Sequence, residues 1–107
     1  MSILVIVEHD NGTVSAATLN TLAAAQAIGG HIDALVAGHN CSKAAESAAE
    51  IPDIRKVIVS DAAENANGLA ENIAPLIAGM AGNYSHILAP ATTYGKNIMP
   101  RVAALSD

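Results

Sequence analysis

Few side chains in this 107-residue sequence are of the types that perform chemistry. The histidines are His9, His31, His39 and His86, and no two of them have the i, i+4 spacing of a helical metal site. Cys41 is the only cysteine, which excludes an internal disulfide and a zinc site built from several cysteines. We therefore predict polar strand-end roles for the histidines. We predict that Cys41 is a small buried side chain rather than a nucleophile.

Glu8, His9 and Asp10 form a polar cluster directly after the first apolar run of the sequence. In open α/β sheets, ligands bind at the carboxyl ends of strands, near the point where the strand order reverses. The same segment continues into Asn11 and Gly12, a pair typical of a solvated turn. The solvated turn is the favoured interpretation, and a small-ligand site or a contact for a partner protein are the alternatives.

Gly95 and Lys96 resemble the end of a phosphate-binding P-loop, but the rest of that motif fails. Pro90 stands where its first glycine belongs, and Asn97 replaces the required Ser or Thr. The loop after the first apolar run, EHDNGTVSA, has no G-x-G-x-x-G either. We interpret TTYGKN at 92–97 as a plain loop and helix cap, with an anion site of backbone N–H groups as the alternative.

Composition excludes several classes of partner. The net charge is −5, from 10 acidic and 5 basic residues, so there are too few cations to neutralise a phosphate track. Lys96 and Arg101 are expected to be solvated charges. Aromatic residues make up 2%, which leaves no stacking platform for single-stranded nucleic acid, and a hydrophobic content of 51% is too high for disorder. We expect no partnership with nucleic acid.

The sequence also lacks the features of a membrane or secreted protein. No apolar run reaches the roughly 18 residues that a transmembrane helix needs. The opening MSILVIVEHD has neither the basic region nor the cleavage site of a secretory signal. We expect no membrane insertion and a cytoplasmic location in a bacterium.

Four short apolar runs predict four strands buried on both faces, as in a parallel sheet. They are ILVIV at 3–7, IDALVA at 32–37, KVIVS at 56–60 and HILAPA at 86–91. Most of the 23 alanines lie between these runs, in segments with helical patterns.

The first two intervening segments predict helices with distinct ends. Ser15 can cap a helix over 16–28, and Gly29-Gly30 can end it in a left-handed conformation. Asn40 is the predicted cap of the second helix, and Pro52 lies just beyond its end. The apolar face of this second helix consists of Cys41, Ala44, Ala45, Ala48 and Ala49.

The third and fourth helices each contain a proline. Pro75 predicts a kink or a late start in the third helix. Pro100 is best tolerated in a first turn, so the fourth helix is predicted to start no earlier than about Asn97. Their apolar faces are Leu69, Ile73, Leu76, Ile77 and Met80 in the third, and Ile98, Val102 and Leu105 in the fourth.

The order β-α-β-α-β-α-β-α predicts an α/β fold with a parallel sheet and right-handed crossovers. Whole doubly wound domains usually have five or six strands, so four strands with a terminal helix predict a fold cut short. From the residues alone, this is a nucleotide-fold or interaction module without a visible catalytic set.

Four stretches of the sequence resemble one family in order and spacing. The opening is ILVIVEHDNGTVSAATLNTLAAAQAIGG and the closing stretch is HILAPATTYGKNIMPRVAALSD, with VAGHNCSKAAESAAEIPDIRKVIVSD and LAENIAPLIAG between them. Together they resemble the N-terminal part of the electron transfer flavoprotein alpha subunit. The resemblance implies an adenine-nucleotide-alpha-hydrolase-like fold with helices on both faces of a parallel sheet of strand order 3-2-1-4.

The resemblance also implies a function for the complete protein. Family members are heterodimers of alpha and beta subunits that carry one FAD. They shuttle electrons from flavoprotein dehydrogenases to a membrane quinone oxidoreductase. The FAD lies mainly in the C-terminal domain of the alpha subunit, and an AMP, where present, belongs to the beta subunit. The implied role is that of an electron carrier, not an enzyme.

By the same resemblance, residues 1–107 are part of the N-terminal α/β domain, and the FAD domain lies outside them. No FAD contact carries over, so we expect no catalytic, cofactor-binding or metal residues and no bound cofactor here. The region would be a structural and interaction domain, and its uncovered fourth strand would promote self-association. The alternative is a free-standing adenine-nucleotide-binding module that resembles universal stress proteins. A nucleotide hydrolase is a third and weaker hypothesis. The nucleotide-binding module and the hydrolase both need a phosphate loop.

Overall fold

The computed structural model describes residues 2–10, 12–63, 65 and 70–106. Strands and helices alternate as predicted, and a short 3₁₀ turn at Ala81–Asn83 follows the third helix. The strands are β1 (Ser2–Ile6), β2 (His31–Gly38), β3 (Lys56–Asp61) and β4 (His86–Leu88). The helices are α1 (Ala16–Ile28), α2 (Ser42–Ala49), α3 (Ala70–Met80) and α4 (Thr93–Ser106). Among these helices, none is long and apolar enough to cross a membrane.

The four strands form one parallel sheet of order β3-β2-β1-β4. This confirms the expected fold class and strand order. β1 is an inner strand, with Ile3 paired to Ile32 of β2 on one side and to His86 of β4 on the other. The first apolar run of the sequence therefore builds the middle of the sheet.

Side chains of β1 alternate between two layers of helices. Ile3 and Val5 face α1, where they pack with Leu22 and Ala25. Leu4 and Ile6 face the opposite way, into a cluster with the apolar side chains of α3 and α4. The second helix on the α1 side of the sheet is α2, whose buried residues pack on β2. The sheet is thus covered on both faces, as the unbroken run ILVIV predicts.

The two edge strands differ from the prediction of burial on both faces. β1 and β2 are buried almost throughout, but β3 is only partly covered and Val59 is 47% exposed. β3 lies at an edge of the sheet and pairs with β2 alone among the described strands. β4 is shorter than the run at 86–91 because it ends before Ala89 and Pro90, and Pro90 has no N–H to donate to a ladder.

The start and end of α1 are as predicted. The Ser15 hydroxyl accepts a hydrogen bond from the Thr18 backbone N–H, and the backbone after the helix takes positive φ at Gly29 (87°) and Gly30 (100°). Only glycine adopts such angles without strain, which explains the pair of glycines there.

The start of α2 corrects the prediction that Asn40 caps it. Asn40 has a positive φ of 57°, and Cys41 is the N-cap residue, without a side-chain cap bond. The Asp61 carboxylate at the end of β3 instead holds the turn before the helix, because it accepts the backbone N–H groups of Asn40 (2.8 Å) and Cys41 (3.2 Å). The apolar face is narrower than predicted, since Ala49 is exposed.

Both prolines lie inside helices, which rules out a late start at Pro75 and corrects the predicted start of the fourth helix, while the kink at Pro75 stays a prediction. α3 runs from Ala70 through Pro75, and α4 starts at Thr93 rather than near Asn97, with Pro100 in its interior. Pro75 and Pro100 are exposed, so the carbonyl groups that lose a partner face water. Leu69 lies outside the described residues. Leu105 is 56% exposed, so the buried face of α4 ends at Val102.

An ion pair between a buried carboxylate and a partly exposed arginine, which the sequence reading missed, lies at the amino end of the sheet. Asp33 of β2 is fully buried, and its carboxylate accepts bonds from Arg55 Nε (2.9 Å) and Nη2 (2.8 Å) and from the Tyr84 hydroxyl (2.8 Å). Lys56 Nζ lies 3.8 Å away. Burial alone would raise the pKa of Asp33. The bonds from Arg55 and Tyr84 outweigh it, and the pKa is lowered below the ordinary 3.8.

Substituting buried positions in β1 and directly after it with aspartate should abolish folding. We expect Val5→Asp and Val7→Asp, made separately, to cost several kcal/mol, which is comparable with the ~5–15 kcal/mol stability of a whole domain. Val59→Asp is the matched control, because it places the same carboxylate on an exposed strand position. The measurement is thermal melting by circular dichroism. Native-like melting of both core variants would contradict the burial of β1.

Acid should weaken the fold through Asp33. Because its folded pKa lies below 3.8, its stabilisation is complete above that pH and is lost as pH falls towards the folded value. Tyr84→Phe should lower stability at pH 7 by about 1.5 kcal/mol and shrink the acid-dependent part of the curve. Tyr94→Phe, which removes a hydroxyl without touching Asp33, is the control. Urea unfolding from pH 7 to pH 2 measures both, and identical pH slopes for wild type and Tyr84→Phe would refute the assignment.

Candidate functional site

The carboxyl ends of β1 and β4 meet at the point where the strand order reverses. From β1 the chain continues outwards through β2 and β3, while β4 lies on the other side of β1. This is the position where open α/β sheets bind ligands. The loops after these two strands are in contact, because the Thr92 hydroxyl donates to Glu8 Oε2 at 3.1 Å.

Glu8 is held firmly against the start of α1. Its backbone N–H donates to the Thr18 hydroxyl (2.9 Å), which in turn donates to the Glu8 carbonyl (3.2 Å). The Ser15 backbone N–H also donates to that carbonyl, at 2.9 Å. The Glu8 side chain then receives the Ser15 hydroxyl on Oε1, at 3.3 Å. Glu8 therefore turns inwards from the loop that the sequence predicted to be a solvated turn.

The two hydroxyls that donate to Glu8 also cap two helices. Ser15 Oγ accepts the Thr18 N–H of α1 at 3.2 Å. Thr92 Oγ1 accepts the Gly95 N–H of α4 at a longer 3.5 Å, and the Thr92 carbonyl takes the Lys96 N–H at 2.9 Å. This confirms a helix cap in segment 92–97, although that cap starts α4 earlier than predicted.

The charge on Glu8 also reaches Tyr94 in the first turn of α4. Burial raises the pKa of Tyr94 to about 12, and the negative charge of Glu8 adds to the shift. Tyr94 therefore stays a neutral phenol across the physiological range and offers no phenolate for base chemistry.

The other members of the predicted polar cluster, Asp10 and His9, make separate contacts. Asp10 Oδ1 accepts the backbone N–H groups of Gly12 (2.9 Å) and Thr13 (2.8 Å), and these bonds lower the pKa of Asp10. That geometry is the solvated turn that the sequence favoured. His9 Nε2 lies 2.8 Å from the Ala37 carbonyl of β2, so its ring bridges neighbouring strand ends. Asn11 lies outside the described residues.

The structure does not gather the other candidate residues into one site. His31 and His86 are the first residues of β2 and β4, whereas His39 follows β2 and lies 3.9 Å from Asp61. Within the described ranges, no three His, Cys, Asp or Glu residues are placed to share a metal ion. The expectation that this chain has no metal, catalytic or cofactor-binding residues stays a prediction. Lys96 and Arg101 are exposed.

Cys41 is fully buried in the cluster beneath α2, as predicted. Burial raises the pKa of its thiol, and the nearby Asp61 carboxylate raises it further. Both effects disfavour the thiolate that a nucleophile requires.

Gly95, the residue that resembles a P-loop glycine, has a steric role. A Cβ built on Gly95 would lie 2.0 Å from the Pro90 carbonyl oxygen. Only glycine lets the first turn of α4 approach the end of β4 this closely. The glycine thus brings Thr92 and the α4 start to Glu8, a role that the spacing of the sequence does not reveal.

A shallow groove of about 380 Å³ runs beside this point, between α1 and the segment after β4. Its walls include Ala17, Asn20 and Thr21 from α1, and Leu88 and Ala91 from the opposite side. The lining is mostly apolar and holds no charged side chain among those described. Such a surface suits packing against protein better than recognition of an anion.

Gly95→Ala should destabilise the fold, because its methyl group cannot fit without moving the Pro90 backbone. We expect a loss of about 2 kcal/mol or more, in the range for overpacked sites. Gly79→Ala is the matched control: Gly79 also lies in a helix, its Cβ would meet nothing within 4 Å, and alanine there should stabilise by roughly 0.5–1 kcal/mol. Urea unfolding measures both. Equal effects of the two substitutions would contradict the close approach.

Comparison with known proteins identifies the family. Residues 3–107 match the electron transfer flavoprotein domain. The whole chain is 61% identical over 107 residues to the electron transfer flavoprotein subunit alpha of Pseudomonas aeruginosa, of which it covers 35%. It is 48% identical over 108 residues to that of Paracoccus denitrificans, again covering 35%. It is 41% identical over 114 residues to the mitochondrial subunit alpha of Arabidopsis thaliana, covering 31%.

The chain thus spans about a third of the length of the curated relatives it matches. The α/β architecture of strand order β3-β2-β1-β4 agrees with the adenine-nucleotide-alpha-hydrolase-like fold of that domain. From the match over residues 3–107 and the identity across its full length, we conclude that this chain belongs to the electron transfer flavoprotein family.

Proposed function

We propose that residues 1–107 form part of the N-terminal α/β domain of an electron transfer flavoprotein alpha subunit. The observation that carries the proposal is the 61% identity over the entire chain to the Pseudomonas aeruginosa subunit alpha. In the proposed role, the complete protein carries electrons from flavoprotein dehydrogenases to a quinone oxidoreductase. It is a carrier rather than an enzyme, and it works in the bacterial cytoplasm.

The proposed cofactor of the complete subunit is FAD, bound outside residues 1–107. A flavin needs a pocket for its planar rings and donors for its pyrophosphate. In the part of the chain that the structure describes, the switch-point loops present the Glu8 carboxylate and two capped helices instead. This arrangement supports a structural and interaction role for the region, with the beta subunit as its partner.

A free-standing adenine-nucleotide-binding module is the second candidate. The meeting of two loops at the switch point favours it, because nucleotides bind there in related architectures. The absence of a Gly-rich phosphate loop from the sequence counts against it.

The 107-residue chain should purify colourless and should bind the beta subunit. The experiment co-expresses the chain with an electron transfer flavoprotein beta subunit and records copurification and the absorbance between 350 and 500 nm, roughly the flavin range. A full-length alpha subunit with its beta subunit is the positive control and should be yellow. Stoichiometric flavin on the 107-residue chain would overturn the placement of FAD, and failure to bind the beta subunit would overturn the interaction role.

The isolated chain should also self-associate at micromolar concentration and above. β4 pairs with β1 alone among the described strands, and its three residues include no Lys, Glu or Asp to protect the edge. His86→Lys puts a charge on this edge and should weaken association, whereas His31→Lys makes the same change on an inner strand. Sedimentation velocity across a hundredfold concentration range, on the order of 1–100 μM, is the measurement. A wild-type chain that stays monomeric throughout would refute the exposed edge.

A further inference from the structure

The N-termini of α1 and α4 both open towards the crevice between β1 and β4. A helix N-terminus carries partial positive charge and unpaired N–H groups, which is why anions such as phosphate bind there. Here the two starts converge from opposite faces of the sheet, since α1 packs on one face and α4 on the other. Whatever anion lies between them is stabilised by both.

The group that lies between them belongs to the chain itself. Glu8 Oε1 accepts the Ser15 hydroxyl and Glu8 Oε2 accepts the Thr92 hydroxyl. Each hydroxyl donates to the carboxylate and accepts a backbone N–H from the first turn of its own helix. One carboxylate is thereby connected through two relays to two helix N-termini.

A second carboxylate at the same carboxyl edge accepts backbone N–H groups near a helix start. Asp61, at the end of β3, accepts the backbone N–H groups of Asn40 and Cys41 in the turn into α2. Side chains of this chain therefore accept a backbone N–H in the first turn of α1 and of α4, and two in the turn that leads into α2.

We propose that Glu8 is a built-in anion that closes the switch-point crevice and ties α1 to α4. A phosphate at this position would meet the Glu8 charge, and it would have to displace both hydroxyl bonds to reach the helix ends. The carboxylate thus connects the cap of α1 on one layer to the cap of α4 on the other. It also prevents nucleotides from binding in the crevice. This inference is independent of the electron-transfer assignment.

Chemical rescue tests the proposal on the 107-residue chain. Glu8→Ala removes the carboxylate and opens its space, and we expect the melting temperature to fall by about 5–10 °C. Sodium formate, a carboxylate small enough for the vacated position, should restore several degrees to Glu8→Ala beyond the effect of sodium chloride at equal ionic strength. Glu8→Gln keeps the space filled, so it should lose stability without being rescued.

Glu46→Ala is the matched control, because Glu46 is an exposed glutamate in the middle of α2. Formate should change its melting temperature no more than that of the wild type. Inorganic phosphate and AMP should leave the wild-type melting temperature unchanged. Equal formate effects on Glu8→Ala and Glu46→Ala would overturn the proposal, and so would stabilisation of the wild type by AMP, which would support a nucleotide module.

A double-mutant cycle keeps the proposal testable if Glu8→Ala does not fold. Glu8→Gln and Thr92→Val each remove part of one hydrogen bond between the loops. If that bond is the tie, the double variant should melt within about 2 °C of the less stable single variant, since coupled residues do not add. Additive losses would show that Glu8 and Thr92 act separately and would contradict the tie.

Discussion

The burial of β1 on both faces is the constraint on which the rest of the structure depends. Its side chains alternate between the α1 layer and the α3–α4 layer, so three of the four helices pack on residues of this one strand. Parallel pairing on both sides then fixes β2 and β4 as its neighbours. The point where the strand order reverses follows directly, because β2 and β3 lie on one side of β1 and β4 lies on the other.

Polar groups secure the two ends of this apolar frame in different ways. At the amino end, Asp33 is buried within β2 and is neutralised by Arg55 with help from Tyr84. At the carboxyl end, Glu8 is partly buried and is bonded by two cap hydroxyls. The first arrangement ties the segments that lead into β3 and β4 to an inner strand. The second joins helices of opposite layers, so the end of the sheet that usually binds ligands is held by the chain's own charge.

The sequence predicted the features that depend on local pattern. The α1 boundaries follow from the Ser15 cap and the glycines after it, and the strand positions follow from apolar runs. The start of α4 was predicted wrongly because tolerance of Pro100 inside the helix depends on which helix face meets solvent, and that is a tertiary property. Burial of β3 was overestimated for the same reason, since a run of Val and Ile does not show whether a strand is at an edge.

The candidate site was predicted only in outline. Position after the first strand singled out Glu8, but its two hydroxyl partners come from α1 and from a loop 84 residues away in sequence. Asp33 was missed, although a carboxylate inside the apolar run IDALVA is itself a signal that a cationic partner lies nearby. The steric role of Gly95 needs the Pro90 carbonyl in three dimensions, which no spacing rule supplies.

Native-state amide hydrogen exchange tests the central position of β1 most directly. Backbone amides of Leu4–Ile6 should exchange only through global unfolding and should be the most protected in the chain, with free energies equal to that of complete unfolding. Amides of β3 should exchange through smaller openings, because that strand is only partly covered. Protection of β1 no greater than that of β3 would contradict an account in which the whole fold is organised around the first strand.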